Sequence, residues 1–177
     1  MSQPKRSERK GRPRGGLGLR RLPDGAFEFV HPRAVMERHE DYEEGLAIWR
    51  AGEPEEAAEV LRFALEGASD NLWVHVALGR IALEAAHDPE LARGHFGYAL
   101  ELAQQAIPRD FNGRLPAERP ANRPLYDAIA GLCACLEATG QTDEVAELRR
   151  LADRWRGFGG TSPRSSRSGG HGATPAS

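Results

Sequence analysis

Between Asn71 and Pro108 the chain reads NLWVHVALGRIALEAAHDPELARGHFGYALELAQQAIP. Apolar residues recur there at helical spacing, in two runs separated by Asp88-Pro89. Two such helices, each with an apolar face, must bury those faces against one another or against neighbours. No other segment constrains the fold as strongly, and its key spacings recur on both sides.

Three stretches carry the recurrence. Glu44-Gly45-x-x-Ile48 precedes Ala57-x-x-x-Leu61-x-x-Ala64; Leu78-Gly79-x-x-Ala82 precedes Ala92-x-x-x-Phe96-x-x-Ala99; Leu132-Cys133-x-x-Leu136 precedes Val145-x-x-x-Arg149-x-x-Ala152. Gly45 and Gly79 stand 34 residues apart, and Cys133 follows Gly79 by 54. The excess lies in a longer fourth helix and in the Pro-rich stretch 108–123. A small residue inside each first helix lets its partner helix approach closely, and Leu61 and Phe96 fill the space between units.

The punctuation agrees with paired helices. A first helix is expected from roughly 33–41 to 51, stopped by Gly52; a second opens at Glu53-Pro54 and ends at Gly67. The third covers about 72–86, and the fourth opens at Asp88-Pro89 and runs toward Ile107. A fifth runs from Pro124 to Thr139 and a sixth from a Thr142 cap to the neighbourhood of Trp155 and Phe158. Ala26-Phe27-Glu28-Phe29-Val30 alternates briefly and reads as a short extended segment laid on the body. Residues 1–25 and 159–177 hold mainly Gly, Pro, Ser and Arg, bury too little to offset ordering entropy, and are expected to be unstructured tails. The folded domain is therefore expected over 26–158.

This pattern resembles the tetratricopeptide repeat family, whose first helix carries L-G-x2-Y and whose second carries A-x3-F-x2-A. The resemblance covers about 41–157. It departs from the family where Ile48, Ala82 and Leu136 stand in place of the usual tyrosine, and where Arg149 replaces the large apolar residue of the last helix. It implies an all-α, right-handed solenoid of about three helix pairs. It also implies a concave face lined by the first helix of each pair, where the family holds peptides or protein segments.

Continuing the helical phase puts Tyr42, Leu46, Trp49 and Arg50 on that face from the first helix, and Trp73, Val76, Arg80 and Glu84 from the third. The fifth contributes Asp127, Ala130, Ala134 and Glu137. Aromatic and arginine side chains are the usual anchors of interfaces. Two alternatives stand beside this: Trp49 and Trp73 pack against segment 26–32, or Phe27 and Phe29 themselves fill the groove.

Charge gives a second functional reading. Net charge is −2, yet residues 1–21 carry eight basic side chains against Glu8 alone, and 159–177 carry Arg164 and Arg167, leaving −11 for 22–158. Lys5, Arg6, Arg9, Lys10, Arg12 and Arg14 could hold a nucleic acid electrostatically, without interleaved aromatics to stack bases. A solubilising tail, or self-association of this tail with acidic clusters of the body, is the bland counterpart.

Catalysis finds no support. Glu84-x-x-His87 and Glu28-x-x-His31 share a spacing used at helical di-iron sites, but those need two helical copies and further Glu ligands. Cys133 and Cys135 are two apart in a helix and point to different faces, so no compact thiol pair forms. Arg14-Gly15-Gly16-Leu17-Gly18 lacks the lysine and spacing of a phosphate loop. The expectation is a non-enzymatic, cytoplasmic chain with no metal, cofactor or membrane segment.

Overall fold

Short capping signals divide the helical stretches. Asn71 and Asp88 accept the backbone N–H groups of Val74 (3.2 Å) and Leu91 (2.9 Å), each satisfying an orphan donor of a first turn. Pro54 and Pro89 occupy first-turn positions where no N–H is needed. Gly52 and Gly140 sit at φ +93° and +74°, reversing the chain where a side chain would strain it. The helices that result, in a computed structural model describing residues 16–157, are α1 (Arg33–Glu37), α2 (His39–Arg50), α3 (Pro54–Ala64), α4 (Leu72–Glu84), α5 (Pro89–Ala106), α6 (Arg123–Ala138) and α7 (Thr142–Arg156). The first helix expected from the sequence is broken at Arg38, and Thr142 is the first residue of α7 rather than its cap, which falls on Gln141.

Consecutive helices pack on one another: α2 on α3, α4 on α5, α5 on α6 and, less extensively, α6 on α7. Between pairs, α4 touches α2 and α3, and α6 touches α4 and α5. Two apolar clusters hold the body. One joins α3 and α4 through Ala57, Leu61, Ala64, Val74, Leu78 and Ile81, with Tyr42, Leu46 and Trp49 of α2 packed against it. The other runs from α4 to α7 around Phe96, Leu125, Ile129, Leu136 and Trp155.

The small residues do what their spacing implies. A Cβ on Gly45 would lie 2.7 Å from Leu61, and one on Gly79 would lie 2.8 Å from the ring of Phe96. Each glycine thus receives the large side chain of its partner helix. Phe96 is 1% exposed, and burying such a ring contributes roughly 2–3 kcal/mol. The third pair differs. Arg149 lies on the surface in an ion pair with Glu137, leaving α7 the more polar outer helix of the last pair.

The fold is mostly helical, but two strands depart from an all-α reading. β1 (Gly18–Arg21) pairs antiparallel with β2 (Phe27–Val30), Leu19 opposite Phe29. The expectation of an unstructured segment through Gly25 is therefore wrong for 18–25, while 1–15 and 158–177 lie outside the described residues. Leu22-Pro23-Asp24-Gly25 is a hairpin turn: Gly25 takes φ +81°, and the Asp24 carboxylate accepts the Ala26 N–H at 3.0 Å. Arg20 and Glu28 pair across the strands. Asn122, fully buried just before α6, clamps the hairpin: its Oδ1 accepts Phe29 N–H (2.9 Å), and its Nδ2 donates to the carbonyls of Phe27 and Pro116 (both 3.0 Å).

Candidate partner-binding groove

The first helices of the three pairs, α2, α4 and α6, frame a cavity of about 290 Å³. Tyr42, Leu46, Trp49 and Arg50 line it from α2, and Trp73, Val76 and Arg80 from α4. Seven of the eight side chains expected from α2 and α4 therefore meet in one concavity. The eighth, Glu84, does not line it; it lies one turn on, paired with Arg80 at 3.3 Å. Asp127 closes the third side as its phase implied, and Ala77 and Pro124 complete the wall without having been singled out. Neither is chemically conspicuous: each contributes only apolar surface.

Aromatic and charged groups are arranged against each other here. The Arg80 guanidinium carbon stands 4.9 Å from the centroid of the Trp49 ring, a cation–π contact that also orients the arginine. Arg123 approaches Asp127 at 4.0 Å. Burial pushes the Asp127 carboxyl above its ordinary range, opposed by the charges of Arg123 and Arg80. Burial likewise raises the Tyr42 phenol, helped by Glu43 and Asp127, so it keeps its proton and can donate. Arg50 is exposed and makes no ion pair among the described residues. Two arginines, one carboxylate and three aromatic rings thus share a small, partly apolar hollow.

Trp73 is held from behind. The His31 ring lies on it with centroids 3.7 Å apart, and His31 Nε2 is 2.9 Å from the Ala121 carbonyl. Packing of Trp73 against the N-terminal segment is therefore real, yet the indole still lines the cavity. Trp49 contacts Arg80 instead. Phe27 and Phe29 do not line this cavity. Phe27 meets Phe111 edge-on at 5.1 Å and Phe29 is buried in the core, both on the hairpin's own attachment.

The remaining groove residues from the fifth expected helix lie further along α6. Ala130, Ala134 and Glu137 line a separate concavity of about 400 Å³ shared with Arg149, Asp153 and Arg156 of α7. The face foreseen as one groove is thus two hollows on either side of α6. Lys5, Arg6, Arg9, Lys10, Arg12 and Arg14 lie outside the described residues.

The other candidate groups fall apart in space or into packing roles. Glu28 pairs with Arg20 while His31 faces Ala121, and His87 turns outward at φ +52°. Cys133 and Cys135 are buried free thiols, and burial pushes both above the ordinary thiol range, away from the reactive thiolate. Among the described residues no three His, Cys, Asp or Glu side chains gather as a metal site, and no helix is long and apolar enough to cross a membrane. One pair had escaped notice. His75 and His95 bring their Nδ1 atoms to 3.2 Å, with His75 Nε2 donating to the Ser69 carbonyl at 2.9 Å. They are twenty residues apart on different helices, a separation with no motif to reveal it.

The chain matches no protein-family model, no curated protein and no solved structure.

Proposed function

We propose that this chain is a non-catalytic scaffold of tetratricopeptide-like helix pairs that holds a peptide or protein segment of a partner between α2, α4 and α6. The observation that carries the reading is the convergence of Tyr42, Leu46, Trp49, Arg50, Trp73, Val76 and Arg80 on one cavity. Its volume is at the lower end of small-molecule pockets and suits one or two anchoring side chains. Tyr, Trp and Arg in one partly exposed hollow are the composition of an interface anchor site. The repeat reading is supported by the parallel roles of Gly45 under Leu61 and Gly79 under Phe96, and by the serial packing of α2, α4 and α6. Two buried free thiols suit a reducing compartment such as the cytoplasm.

Selection of a displayed random-peptide library on the full chain tests the reading. Enriched peptides should lose binding to a Trp49→Ala, Arg80→Glu variant whose circular dichroism matches that of the original. Peptides that bind both forms equally well would remove the groove from the proposal.

A further inference from the structure

A partly apolar groove between α5 and α7 is left uncovered by the other described residues. Between α5 and α7 lies a hollow of about 590 Å³, floored by Leu132 and Leu136 of α6 and walled by Leu148 and Leu151 of α7. Leu132, Leu148 and Leu151 are each only partly buried. The α5 wall is low at Gly97, where an added Cβ would meet nothing within 4 Å.

The charges that α7 places along this groove are sorted. Glu144 and Glu147 stand on its N-terminal half and Arg150 and Arg154 on its C-terminal half; across the groove, Arg93 of α5 is held by the Gln141 side-chain carbonyl at 3.4 Å. Of the helix's other charges, Arg149 pairs with Glu137 and Arg156 with Asp153, while Asp143 stands at its N-terminal end. Glu147, Arg150 and Arg154 make no ion pair among the described residues, and Glu144 accepts only the Gln141 amide, at 2.7 Å.

An acid half followed by a basic half is complementary to itself when reversed. We propose that this face binds a second copy of the chain, with the two α7 helices antiparallel across a two-fold axis that passes between Leu148 and Leu151. That axis sets Glu144 opposite Arg154 of the second copy and Glu147 near its Arg150. It brings Leu148 and Leu151 onto their counterparts and closes the α5–α7 groove on both copies. Such an isologous contact is closed, so assembly stops at two. The groove between α2, α4 and α6 is lined by none of these residues and stays available for a partner.

Sedimentation velocity on the full chain, from about 1 to about 100 μM, decides the matter, since moderate interfaces dissociate in that range. The original chain should pass from monomer to dimer. Glu144→Arg with Glu147→Arg, and separately Arg150→Glu with Arg154→Glu, should each raise the dissociation constant at least about tenfold, because like charges then face each other. An equimolar mixture of the two variants should recover the dimer, since each supplies what the other lost. The substituted side chains are exposed, and equal melting temperatures would show the fold intact. The unsubstituted chain offers a check of its own: raising salt from roughly 0.1 to 1 M should weaken its dimer, as exposed pairs are screened. A chain that stays monomeric throughout, a dimer indifferent to salt, variants that still self-associate, or a mixture that does not pair would each overturn the proposal.

Discussion

The imidazole of His31 rests on the indole of Trp73, ring centroids 3.7 Å apart and planes inclined by 30°. This contact ties two parts of the molecule that the sequence keeps far apart in role. His31 ends the N-terminal hairpin; Trp73 opens α4 and forms one wall of the groove. The hairpin therefore shapes the groove without entering it. Replacing His31 by alanine removes the stacked ring and leaves one face of Trp73 open to water. The Trp73 indole N–H resonance should broaden or shift while those of Trp49 and Trp155 hold, and peptide affinity should weaken severalfold. An unmoved Trp73 signal would mean that the wall stands without the hairpin.

Asn122 is the hinge pin of that hairpin. Its amide satisfies the Phe29 N–H and the carbonyls of Phe27 and Pro116. Asn122→Leu leaves three backbone groups without partners, at a cost of about 1–3 kcal/mol for each that stays buried. The hairpin should open before the helices do. Hydrogen exchange would show it: the Phe29 amide should lose protection while amides in the middle of α4 and α5 keep theirs.

Phe96 lies in a slot made by two glycines. A Cβ on Gly131 of α6 would come within 2.4 Å of its ring, closer even than one on Gly79 of its own pair. Gly131→Ala should therefore destabilise by about 1–3 kcal/mol, although alanine is intrinsically the better helix former. Phe96→Ala should lose about 3–5 kcal/mol through the cavity it leaves. Combining the two should cost less than their sum, because the shortened side chain makes room for the new methyl. Urea unfolding of the two single variants and the double variant measures all three.

Much of this architecture was legible, and the physical reasons are specific. Gly45, Gly79, Leu61 and Phe96 announce themselves because helix packing needs small against large at fixed spacing. The groove residues follow from the phase of α2 and α4, which those same positions set. Gly131 was missed because its Phe96 belongs to the preceding pair, so the spacing within a unit does not contain it. The first strand was missed because Gly-Leu-Arg-Arg carries no alternating apolar face; its signal was the Pro23-Asp24-Gly25 turn beside Phe27-Glu28-Phe29. Asn122 is one polar residue in an irregular stretch, and its role exists only once the hairpin is in place. The split of the concave face by α6 depends on helix geometry that spacing does not encode.

Three histidines should make the fold acid-sensitive. Burial holds His31, His75 and His95 below the ordinary value of 6.5; backbone hydrogen bonds and Asp70 oppose it at the first two, whereas His75 and Arg62 reinforce it at His95. With His75 donating through Nε2 to Ser69, its Nδ1 must accept from His95, and the pair cannot hold both extra protons. The unfolded chain binds more protons than the folded one once pH falls below about 6.5, so stability present at neutral pH is lost on acidification. The melting temperature should drop between pH 7.5 and 5, two values chosen to straddle that window. The slope should be shallower in His95→Gln. A slope unchanged by that substitution would assign the acid sensitivity elsewhere.

The central claim concerns the hollow between α2, α4 and α6, and chemical-shift mapping with a library-selected peptide tests it most directly. Titrated into the isotope-labelled full chain, the peptide should shift the indole N–H signals of Trp49 and Trp73 and the backbone amides of Tyr42, Val76 and Arg80. Trp155, buried in the other cluster, should stay still. Shifts that leave Trp49 and Trp73 unmoved and gather elsewhere would contradict the account.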